Sequence, residues 1–107
     1  MLKRIWILSL AGMWAAAAPA HAQGMADTTA RSLAATCANC HGTNGHSAGG
    51  TESLAGVPRD TLLRKLEAFR SGEKPATIMH QIARGYTPEQ LAQIATYFAA
   101  QRPSARN

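Results

Sequence analysis

Cys37-Ala38-Asn39-Cys40-His41 decides how the rest of the chain is read. Two thiols three positions apart, followed at once by an imidazole, form the attachment signature of a c-type haem. The spacing answers a chemical need. Each thiol adds to one vinyl group of the macrocycle, and the tight turn carries His41 under the iron, where a neutral imidazole nitrogen binds it. The stretch predicts haem attachment at Cys37 and Cys40 and axial ligation by His41. No second C-x-x-C-H occurs, so one haem c is expected.

Three other chemistries use parts of the same pattern. A redox dithiol of the thioredoxin kind sits in a βαβ context, and no strand-like alternation surrounds this motif. A zinc site would have to complete its ligand set from His41, His46 and His80, at spacings unlike a finger. A plain disulfide across the two cysteines would give His41 no task.

The 107-residue chain begins with Lys3 and Arg4, then runs without charge from Ile5 to Ala18. Ala20-His21-Ala22 places small residues where an exporting peptidase reads. Residues 1–22 are therefore expected to be a cleaved secretory signal peptide, and residues 23–107 a single monohaem domain in the bacterial periplasm. The apolar run is shorter than the roughly 20 residues of a membrane span and ends at Pro19, which disfavours an uncleaved anchor. No stable membrane insertion is expected after processing. Both tryptophans, Trp6 and Trp14, fall in the presumed leader.

A domain of this length buries a modest share of its surface and needs a staple, which a covalently held macrocycle provides. The formal charge is +5; without Lys3 and Arg4 it is +3. That excess suits either docking on an acidic partner face or a simply soluble surface. Nucleic acid is not an expected partner, because no basic stripe interleaves with aromatic residues.

Helical signals occupy the rest of the chain. Ala26 to Thr36 predicts a short first helix, capped by Asp27 or Thr28, with Ala30 and Ala34 offering a small face for close packing. Gly42 to Gly56 reads as a glycine-rich loop that can lie against a flat ligand and present a carbonyl to the second ring N–H of His41. Pro58 opens a helix to about Ser71, with Leu62, Leu63, Leu66 and Phe69 on one face and Gly72 as its stop. Thr87-Pro88-Glu89-Gln90 starts a last helix, with Leu91, Ile94, Ala95 and Phe98 inward and an end near Gln101. Between these helices, Met79 is a candidate thioether ligand for the sixth iron position, with core filling as its ordinary role. His80 and the loop residue His46 are rival ligands. Tyr86 suits either a hydrogen bond to a haem propionate or packing.

Taken together, the chain resembles the class I cytochromes c. Within that class it is similar to the cytochrome subunits of flavocytochrome c sulfide dehydrogenases and the small cytochromes related to them. The residues carrying the resemblance are Thr36 to Gly45, Leu54-Ala55-Gly56, Phe69-Arg70-Ser71-Gly72-Glu73, Ala76-Thr77-Ile78-Met79 and Ala83-Arg84-Gly85-Tyr86-Thr87. The resemblance implies an all-α fold, a small class I cytochrome c fold packed around one covalently attached haem, with His41 and Met79 as axial iron ligands. Relatives often carry proline where this chain has Gly49-Gly50-Thr51-Glu52, so the carbonyl that orients His41 has no assignment from the pattern.

The implied function is a periplasmic one-electron carrier rather than an enzyme, accepting electrons from a dehydrogenase. A FAD-containing sulfide dehydrogenase subunit is the partner the resemblance suggests. Two alternatives remain: a stand-alone cytochrome serving an oxidase or another dehydrogenase, and a haem enzyme or sensor with an open sixth position.

Overall fold

The computed structural model describes residues 20–104, with side chains described from residue 24. Among these residues all regular structure is helical: α1 (Ala20–Ala34), α2 (Ala38–His41), α3 (Arg59–Ser71), α4 (Met79–Arg84) and α5 (Pro88–Ala99), with a single 3-10 turn at Thr43–Gly45. Residues 1–19 of the expected leader lie outside the described residues, and its last three residues form the first positions of α1.

The last helix follows its sequence signals closely. The Thr87 hydroxyl accepts from the Gln90 N–H at 3.1 Å, and the Thr87 N–H donates to Gln90 Oε1 at 2.9 Å, which together make a capping box. Pro88, at the first helical position, gives up an N–H that has no partner there. The predicted inward residues Leu91, Ile94, Ala95 and Phe98 are each no more than 2% exposed. The helix ends at Ala99, two residues before the expected Gln101, and the Gln101 N–H closes a further turn on the Phe98 carbonyl.

The first helix departs from expectation. It spans Ala20–Ala34 rather than Ala26 to Thr36, and neither Asp27 nor Thr28 caps it. The Thr28 hydroxyl donates to the Gly24 carbonyl at 2.8 Å and the Thr29 hydroxyl to the Met25 carbonyl at 2.9 Å. Hydroxyls bonded one turn back belong to a helix interior, and the alanines before them favour continued helix. Ala34, 2% exposed, takes the close-packing role expected of it, in the core beside α5.

Helix α3 begins one residue after Pro58 and stops at Gly72, whose left-handed conformation (φ 82°) sends its N–H back to the Phe69 carbonyl. Leu62 is buried. Leu63, Leu66 and Phe69 are half-buried: Leu63 and Leu66 pack against the core, and Leu66 and Phe69 border a cavity. Helix α5 packs on α1 and α3, and α3 in turn on α4.

The 42–57 segment carries more order than its composition suggests. The Gly45 carbonyl accepts from both Leu54 N–H (2.8 Å) and Ala55 N–H (3.2 Å), and the Gly56 N–H donates to the Phe98 carbonyl at 2.9 Å. Gly45 must be glycine: its φ is +81°, and a Cβ there would meet Ala55 N at 2.7 Å and the Phe98 ring at 2.9 Å.

Candidate haem site

One turn of helix builds the first wall of the site. With Cys37 at its N-terminal end, α2 is closed by His41 N–H to the Cys37 carbonyl (2.9 Å) and Gly42 N–H to the Ala38 carbonyl (3.0 Å). This turn brings Cys37, Cys40 and His41 onto a single cavity of about 330 Å³. Its other walls are mostly apolar and come from three helices and a loop: Leu62, Leu66 and Phe69 of α3, Met79 and Ile82 of α4, Ile94 and Phe98 of α5, and Leu54, with Thr36, Thr51, Glu52 and Lys65 as the polar part of the lining. The cavity reaches the surface at Cys40 and Thr51, and at Ile78, which is 54% exposed.

His41 is 9% exposed, and its Nδ1 lies 2.7 Å from the Glu52 carbonyl oxygen. A carbonyl only accepts, so Nδ1 carries the proton and donates. In the neutral ring this leaves Nε2 with a lone pair, the state a metal requires. The orienting carbonyl that the sequence left unassigned thus belongs to Glu52. Its carboxylate is held in turn by Lys65 Nζ, at 3.1 and 3.0 Å to the two oxygens.

The two thiols differ in surroundings. Cys37 is half-buried, and burial pushes its thiol pKa up, a hydrogen bond with Thr36 partly opposing. Cys40 is exposed, and both thiols are free.

The candidate ligands separate cleanly. Met79 lines the cavity, whereas the adjacent His80 does not; the Nδ1 of His80 is buried without a hydrogen-bond partner. His46 is exposed, absent from the cavity wall, and its Nδ1 lies 3.0 Å from the Ser104 hydroxyl. Tyr86 packs against the core and shares a hydrogen bond with the Thr36 hydroxyl, which gives it a packing partner independent of any propionate. The zinc alternative lacks its donors: among the described residues no three His, Cys, Asp or Glu side chains are grouped to hold a metal ion. The thioredoxin-like alternative lacks its sheet, since no strand occurs among the described residues.

This donor set fits a covalently tethered haem: two free thiols at one rim, an imidazole with its outer nitrogen already engaged, an apolar lining for a flat macrocycle, and a thioether on another wall. The family profile for cytochrome c matches residues 26–101. The chain belongs to the cytochrome c family. A cytochrome c domain implies a covalently bound haem c with its iron, and helices with no strands among the described residues agree with the fold.

Relatives narrow the setting. The chain is 38% identical over 66 residues to the cytochrome subunit of sulfide dehydrogenase from Chlorobaculum tepidum, covering 62% of this chain and 60% of that one. It is 33% identical over 75 residues to the thiosulfate dehydrogenase electron acceptor of Thiomonas intermedia, covering 68% of this chain and 35% of the relative. It is 35% identical over 86 residues to cytochrome c4 of Pseudomonas aeruginosa, covering 79% of this chain and 42% of the relative. This cytochrome therefore spans 60% of the first relative's length and less than half of the other two. Among its described residues, no helix is long and apolar enough to cross a membrane.

Sequence reasoning missed Glu52 and Lys65. The first acts through its main chain, which carries no residue-type signal. The second acts through a pairing across 13 positions that no local period reveals.

Proposed function

We propose that the chain is an exported one-electron carrier in which Cys37 and Cys40 would hold the haem covalently and His41 Nε2 and Met79 sulfur would ligate its iron. The bound haem supplies the redox couple, the iron passing between ferrous and ferric states. The protein's own residues do the rest. Glu52 fixes the His41 ring, Leu62, Leu66, Phe69, Ile94 and Phe98 keep water from the macrocycle, and the thioether favours the ferrous state and raises the midpoint potential. With His41 and Met79 both ligating the iron, no side chain would be needed as acid, base or nucleophile.

The observation that carries this reading is that Cys37, Cys40, His41 and Met79 border the same apolar cavity, while His80 and His46 do not. The open-site enzyme or sensor requires Met79 to stay off the iron, and nothing about its position favours that. The ferric near-infrared spectrum is the test. A thioether-to-iron band is expected in the wild-type protein, lost in Met79→Ala together with a lower midpoint potential and new binding of carbon monoxide. A wild-type protein without the band, or a Met79→Ala variant that retains it, would refute the distal assignment.

For the donor, we propose a dehydrogenase of reduced sulfur compounds, with a FAD-containing sulfide dehydrogenase subunit as the first candidate. Support comes from relatives named for sulfide and thiosulfate dehydrogenases. Export is proposed from the basic start, uncharged run and Ala20-His21-Ala22 of residues 1–22. Co-elution of the untagged protein with a flavoprotein from its host supports the sulfide donor, and recovery as a lone monomer counts for a stand-alone carrier.

A further inference from the structure

The carbonyl that orients His41 sits on a poorly secured piece of chain. Gly49 and Gly50 precede it, and no main-chain N–H from Gly50 through Ser53 makes a hydrogen bond among the described residues. The nearest fixed points are the Ser47 N–H to Ser53 hydroxyl bond at 3.0 Å and the Leu54 N–H to Gly45 carbonyl bond at 2.8 Å. Apart from the bond its carbonyl accepts from His41, Glu52 is tied to a helix only through its side chain, both carboxylate oxygens accepting from Lys65 Nζ. Lys65 stands on α3, beside Leu62 and Leu66, on a helix held by the core.

We infer that Lys65 is a positioning residue for His41: by holding both oxygens of the Glu52 carboxylate it keeps the Glu52 carbonyl against His41 Nδ1. The side chains of Lys65 and Glu52 are 36% and 55% exposed, so the pair adds little to overall stability. Its effect is local, on how firmly one carbonyl is held, and salt weakens it. The inference rests on the reading of His41 as an axial ligand.

Solvent exchange of the His41 Nδ1 proton, followed by NMR in the ferrous holoprotein, is the test. Lys65→Ala and Glu52→Ala should each exchange about twofold to fivefold faster than wild type, the range open to an exposed ion pair. The double variant should be no faster than either single one, and Lys65→Arg should restore most of the protection. Added salt at 1 M should speed wild type toward Lys65→Ala and leave that variant unmoved. Unchanged exchange, additive effects, or acceleration by Lys65→Ala without Glu52→Ala would overturn the inference. Absence of haem-shifted His41 ring resonances in wild type would instead remove the axial reading, and the inference with it.

Discussion

His41 and Met79 come from opposite halves of the sequence and meet at one cavity, and the residues around them decide which of several candidates can act. Position favours Met79 as the proposed sixth ligand: His80, one residue away, does not border the cavity. His80→Ala should therefore leave the ferric near-infrared band in place, and loss of that band would reverse the choice of ligand. The attachment turn yields a second prediction. Cys37→Ala or Cys40→Ala should leave haem on a single thioether, visible in the pyridine haemochrome spectrum, or lose it; an unaltered spectrum would contradict attachment at that thiol. The proposed attachment residues and His41 were legible as candidates because covalent chemistry imposes a fixed local spacing. The Glu52 carbonyl was not, because any residue could present it, and only the path of the 42–57 segment selects Glu52.

At the level of elements, local chemistry and long-range packing had different visibility. Helix α5 was legible nearly to the residue, since its cap, its proline and its inward face all act within the helix. Thr87→Ala removes one half of the capping box and should cost about 1 kcal/mol. For a domain of this size that is a fall of about 4–8 °C in Tm by calorimetry of the holoprotein. An unchanged Tm would mean that the cap contributes nothing. Phe98→Ala should cost about 3–5 kcal/mol, because the ring is 1% exposed and packs edge-on against Tyr97. The start of α1 was misread since a threonine offers the same signal whether it caps a helix or bonds back within one; its neighbours three and four residues upstream decide. The order in the 42–57 segment was hidden for a related reason. Its hydrogen bonds run to Gly45 and Phe98 main chain, and composition alone shows only glycine and serine.

At the scale of the molecule, the core formed by the described residues is small. Its buried apolar side chains are Leu62, Leu91, Ile94 and Phe98 with four alanines, and the half-buried Leu66 and Phe69 face the cavity instead of other side chains alone. A bound macrocycle therefore completes the interior, and binding free energy becomes folding free energy. The apo polypeptide should lack the sharp cooperative melt of the holoprotein, as read by circular dichroism; a sharp apo transition would show that the helices close without haem. The all-α class followed from the helical signals of the sequence, and the class I likeness followed from blocks spread through it. Partner identity has no such trace, since a +3 excess suits many acidic faces.

Intact-mass spectrometry of the polypeptide recovered from the periplasm bears most directly on covalent haem at Cys37 and Cys40. The expected mass is that of residues 23–107 plus one haem, retained under denaturing conditions. A polypeptide of any processed length that carries no added macrocycle would contradict it.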